Sequence, residues 1–172
     1  QGKGVEMSKL KTLVIATLSQ LSLNVVGANN AWALTDHQIS TLRLTYASAM
    51  SSMHDVLEGV SAYSVARARQ DEQGMRRAAA FMLGALAEAR MWMALLDLQV
   101  TPEDFGADAD RAVTNLREML ATTFDNLDDA FFSNDLDAIN ARLDDSADRF
   151  NQLFLDVNAI GAAVGPVLGR AQ

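Results

Sequence analysis

Apolar residues recur at alternating steps of three and four through most of the chain after position 38. The first run is Ile39, Leu42, Tyr46, Ala49, Met53, Val56, Val60 and Tyr63. The second is Met75, Ala79, Met82, Leu86, Ala89, Met93 and Leu96. The third is Ala109, Val113, Leu116, Leu120, Thr123, Leu127 and Ala130, widened by Phe124 and Phe131. The fourth runs from Leu136 through Ile139, Leu143, Ser146, Phe150, Leu153, Val157 and Ile160 to Val164. A mean step of 3.5 places each run on one face of an α-helix. No strand-like alternation competes.

The punctuation agrees with four helices. Thr35-Asp36-His37-Gln38 is a capping-box pattern at the first start, and that helix is expected to reach about Gln70. Asp71–Gly74 is the first break. Thr101-Pro102-Glu103-Asp104 supplies a cap, a proline at N1 and acids at the positive end of the dipole. Gly106 is expected to delay the regular helix by a turn. Ser133-Asn134-Asp135 is a tight third connection, and Gly161, Gly165, Pro166 and Gly169 predict a frayed tail. The resulting expectation is an all-α fold, an antiparallel up-down-up-down four-helix bundle spanning 34–172. Its helices would cross at about 20°.

Ahead of the bundle lies a leader, residues 1–33. Met7 reads as the start, preceded by Gln1–Glu6. Met7-Ser8-Lys9-Leu10-Lys11 is a short basic segment, and the apolar stretch Thr12–Val26 follows it. Ala31-Trp32-Ala33 offers small residues for cleavage between Ala33 and Leu34, the layout of a secretory signal peptide. The stretch is shorter and wetter than the roughly 20 apolar residues of a spanning helix. No segment after Leu34 reads as long and apolar enough to span, so no stable membrane insertion is expected after cleavage. The expected location is periplasmic or secreted.

Charge narrows the function. All three lysines lie in the first eleven residues; from Leu34 onward 11 arginines face 21 acidic residues, a formal −10. Such a body is poorly suited to nucleic acid or an anionic membrane and better suited to a basic partner. The absence of cysteine excludes disulfides, thiol catalysis and thioether-linked haem.

Few residues offer chemistry. A di-iron bundle needs Glu-x-x-His motifs, and none is present. No Gly-x-Ser-x-Gly, P-loop or His-Glu-x-x-His sequence occurs either, so an enzyme has the least support. Of the two histidines, His37 belongs to the capping segment and His54 lies beside Met53. Met50, Met53, His54 and Met93 are the candidate cofactor-binding residues, since thioether and imidazole suit copper(I). The plainer reading of Met53 and Met93 is core packing. Asp125, Asp128, Asp129, Asp144, Asp145 and Asp148 form an acidic group read as a solvated face, with Arg142 and Arg149 neutralising part of it.

The segment Ser133-Asn134-Asp135-Leu136-Asp137-Ala138-Ile139-Asn140-Ala141-Arg142-Leu143, continuing to Phe150 and Phe154, resembles the turn and last helix of the cytochrome b562 and cytochrome c′ group. That resemblance implies an exported four-helix bundle with haem held near the end of the last helix. The chain departs from the pattern there: Ala147–Leu155 contains no histidine, so b-type haem would need a ligand such as His54. A second likeness is to the LTxxQ periplasmic stress chaperones and metal sensors. It rests on Leu34-Thr35-Asp36-His37-Gln38 and on Val100-Thr101-Pro102-Glu103-Asp104 as a degenerate second copy.

Three expectations follow. The first is a non-enzymatic binding or interaction protein with an unknown protein or small ligand as partner, or a second copy in a homodimer. The second is a haem or copper carrier using His54 and a methionine. The third is an LTxxQ-like stress protein.

Overall fold

The computed structural model describes residues 33–133 and 135–169, apart from the side chains at 147, 148, 150, 151 and 154. The leader up to position 32, Asn134 and Phe150 of the fourth stripe lie outside the described set. Every regular element within it is helical: α1 Asp36–Ala68, α2 Glu72–Asp97, the single turn α3 Pro102–Phe105, α4 Ala107–Phe132 and α5 Leu136–Leu168. The fold is all-α.

Each start is built by its own sequence. The Thr35 hydroxyl accepts from the Gln38 amide, and Gln38 Oε1 accepts from the Thr35 amide at 2.9 Å, a complete capping box. Asp71 caps α2 through the Gly74 amide at 2.9 Å. Gly74 therefore lies inside α2, so the first break ends earlier than its residues suggest. A Cβ at Gly74 would stand 2.3 Å from Asp71 Oδ2, so any larger residue there would make the capping carboxylate turn aside. Thr101 caps α3, and Gly106, at φ 88°, turns the chain into α4 as expected. Phe105, which no stripe includes, is buried and pins that turn.

α2 packs between α1 and α4, and α4 packs on α5. The α2 and α4 stripes are buried in full. In α1 the buried face also takes in Thr45, Ser52, Gly59 and Ala66, spaced by seven, while Tyr46 and Val60 are half-buried. These small residues let α2 approach closely: a Cβ at Gly59 would stand 3.0 Å from Met82 Cβ. α1 and α5 are joined by long side chains instead. Tyr63 donates to Asn140 at 3.0 Å, Arg67 grips both oxygens of Asp144 at 2.7 and 3.0 Å, and Arg43 donates to the Leu168 carbonyl at 2.7 Å.

Two expectations need correction. The tail past Gly161 is not frayed: α5 continues to Leu168 with Pro166 inside it. Val164 and Val167 are fully buried and Arg43 caps the last carbonyls, so packing overrides the low helix propensity of the segment. Second, α2 is long and apolar enough to cross a membrane by length and composition, with a mean hydropathy of 1.4 over its best 18-residue window. Only 44% of that window is buried in the fold.

Candidate interaction face

The four residues singled out as cofactor candidates do not share one face. Met53 and Met93 are buried in the common core, Met50 is half-buried against it, and His54 is exposed. Gly59 abuts Met82, and Gln99 Nε2 donates to Thr45 Oγ1 at 2.9 Å. That register brings Met93 level with Ala49 and Met50, whereas His54, one turn beyond Met50, is exposed. Methionine packs irregular gaps through its flexible thioether, which accounts for Met53, Met82 and Met93 here. Among the described residues, no three His, Asp or Glu side chains converge on a point that could hold a metal ion.

The acidic group is engaged from other helices. Arg67 of α1 holds Asp144, and Arg90 of α2 reaches Asp125 at 3.2 Å while lying 4.7 Å above the Phe124 ring. Asp97 receives Arg117 at 2.6 Å and the Thr114 hydroxyl at 3.0 Å, locking the end of α2 to α4. These cross-helix arginines were not readable from spacing along one helix.

A groove of about 400 Å³ lies between α4 and α5, lined by Asn115, Glu118, Met119, Thr122, Arg149, Gln152 and Asp156. It is shallow and open. Its one distinctive group is Asp156, a buried carboxyl pushed above the usual carboxylate range by burial and partly restored by Gln152, whose amide donates at 3.3 Å.

The outer face of α2 is a different surface. Ala80, Phe81, Gly84, Ala87, Glu88, Met91, Ala94, Leu95 and Leu98 are all exposed, a set that repeats every seven residues along one face. Phe81 is 48% exposed, Met91 51%, Leu95 41% and Leu98 77%. Glu88 is the one charge in the middle of this face, and it accepts the Trp92 indole N–H at 3.2 Å. Above Gly84 there is open space: a Cβ built there would meet nothing within 4 Å. The Thr45–Gln99 bond places exposed Leu44 of α1 at the same end as Leu98. The sequence reading treated α2 as a one-sided helix and so missed this face. Its signal was present in the apolar residues 81, 91, 95 and 98, which fall between the core positions.

Protein-family models, curated proteins and solved structures all return no match to this chain.

Proposed function

We propose that this protein is an exported, non-enzymatic interaction module, an antiparallel up-down-up-down four-helix bundle whose α2 presents a docking surface. The observation that carries this reading is that α2 is long and apolar enough to cross a membrane, yet only 44% of its most apolar 18-residue window is buried. A helix of that hydropathy normally belongs in a core or a bilayer. Here it is held in a folded body by α1 and α4, with its remaining face turned outward. The patch amounts to on the order of 600 Å² of apolar surface, at the upper end of what monomeric proteins leave exposed.

The bundle reading is supported by short connections between long helices and by the ties at both ends of the α1–α5 pair. Export is supported by the leader pattern in the sequence.

The reading is tested by the size of the native species in a fresh extract of the exporting cell. The wild-type chain is expected to elute in an assembly larger than itself. Met91→Glu and Leu95→Glu are expected to elute smaller while melting, when diluted, within about 0.5 kcal/mol of the wild type. An unchanged elution volume for both variants contradicts the proposal.

A further inference from the structure

We infer that the occupant of the α2 face is a second copy of this chain, docked antiparallel about a twofold axis passing between Ala87 and Glu88. This deepens the interaction reading and rests on it.

The outer face of α2 is self-complementary. A twofold interface brings the same patch against itself, so residue i meets residue j and j meets i. On the outer face of α2, small and large residues are arranged symmetrically about the midpoint between positions 87 and 88. Phe81 would face Ala94 of the other copy, and Leu95 would face Ala80. Met91 would enter the open space above Gly84, where nothing stands within 4 Å. Each pairing occurs twice. At the ends, Leu98 would lie along the methylene stem of Arg77, which keeps its charged head in water.

Glu88, like Ala87, lies beside the axis and so approaches its own copy; its carboxylate accepts the Trp92 indole N–H on the flank of the face. In an antiparallel pair the two helix dipoles also oppose one another favourably. A parallel pairing would set Phe81 against Phe81 and Gly84 against Gly84, stacking bulk on bulk and gap on gap.

Area is sufficient. The α2 face supplies on the order of 600 Å² of apolar surface, and Leu44 with the charged rim brings it near the ~800 Å² per partner of a stable interface. Ala80, Gly84, Ala87 and Ala94 allow the axes to approach to about 8 Å, the close end of helix packing.

The absence of cysteine makes the test clean. The full chain, produced with its leader in an exporting host, is purified and its mass measured by sedimentation. Single-cysteine variants are then oxidised mildly. Twice the chain mass is expected. Ala87→Cys, next to the axis, should form a disulfide with its own copy, because only there do Cα atoms come within the roughly 4.4–6.8 Å that a disulfide requires. Ala80→Cys alone should stay uncrosslinked, yet crosslink when mixed with Leu95→Cys. Met91→Glu, on an exposed position, should weaken dimerisation by a factor of roughly 100 or more, since the symmetry inserts it twice. An unchanged circular dichroism spectrum shows that this variant is folded.

A wild-type chain that stays monomeric at its highest soluble concentration overturns the inference, as does crosslinking of Ala80→Cys to itself or a dimer indifferent to Met91→Glu. A monomer that binds phosphatidylcholine vesicles through Met91 also overturns it and gives the face to lipid. If the purified chain is monomeric but the native extract holds a larger species sensitive to Met91→Glu, only the second copy is refuted. If neither shows an assembly, the interaction reading fails with it.

Discussion

Asp156 and Gly59 show how single positions in this fold set opposing costs. Asp156 is buried with one amide donor, and burial disfavours its charged form. An acid whose folded pKa lies above its unfolded value is favoured in its protonated form by folding. Its contribution is most favourable below the unfolded value of about 3.9 and is lost as pH rises through the raised folded value. Asp156→Asn should therefore raise the melting temperature at neutral pH, and the gain should disappear as pH falls below the ordinary carboxylate range. Thermal melts of both proteins from pH 3 to pH 7 check this, and a pH-independent difference would contradict it. Gly59 is the opposite case. In an open helix alanine gains about 1 kcal/mol over glycine. Here the added methyl would press on Met82 Cβ at 3.0 Å and its Cα at 3.2 Å, and backbone cannot rotate away. Gly59→Val should cost roughly 1–3 kcal/mol by prying α1 from α2, read by urea unfolding. By contrast, Gly84→Ala meets nothing and should be neutral or stabilising in the isolated chain.

Among the elements, the starts were the most legible part of the sequence. Thr35–Gln38 and Thr101–Asp104 act where their side chains suggest, because a cap is a local bond between residues two or three apart, whereas Asp71 caps α2 inside a stretch that reads only as a break. The α2 and α4 stripes were equally clear. What spacing could not reveal was anything decided by a second helix. In α1 the positions facing α2 are the small ones, Thr45, Ser52, Gly59 and Ala66, which a scan for large apolar residues passes over. The end of α5 was misjudged for the same reason. Its glycines and Pro166 argue for fraying, but Val164 and Val167 are buried and Arg43 of α1 reaches the Leu168 carbonyl. Arg43→Ala should loosen that last turn selectively. Hydrogen exchange of the amides after Val164 is expected to accelerate by about fivefold or more, as befits loss of a charge-assisted bond worth on the order of 1.5 kcal/mol, with the amides of α2 unchanged. Uniform acceleration across all helices would show that the contact stabilises the whole fold instead.

At the scale of the whole molecule, the candidate site was the least legible feature. The sequence drew attention to Met50, Met53, His54 and Met93 because they carry ligand chemistry. The fold divides them between core and solvent. The outer α2 face carries no chemistry that a motif search recognises. It becomes visible only when the buried half of the helix is subtracted from a segment of high mean hydropathy. The chain carries a formal −10 from Leu34 onward, and a net charge of that size favours the solubility of a molecule with this much exposed apolar area. Neutralising a large share of that charge should lower solubility well before it lowers stability. Light scattering and thermal melts of the same charge-reduced variant separate the two effects.

The most direct measurement of the central claim is the rate at which a maleimide reaches the α2 face where the protein works. Met91→Cys and Asp108→Cys place single thiols on the α2 face and on an open part of α4, whose Asp108 side chain is 94% exposed. Both are alkylated in intact exporting cells and again after purification and extreme dilution. The account predicts that Cys at 91 reacts at least about tenfold more slowly in the cell than when diluted, while Cys at 108 reacts alike in both. Equal rates at position 91 in the two settings would mean that nothing covers this face, and would contradict the account.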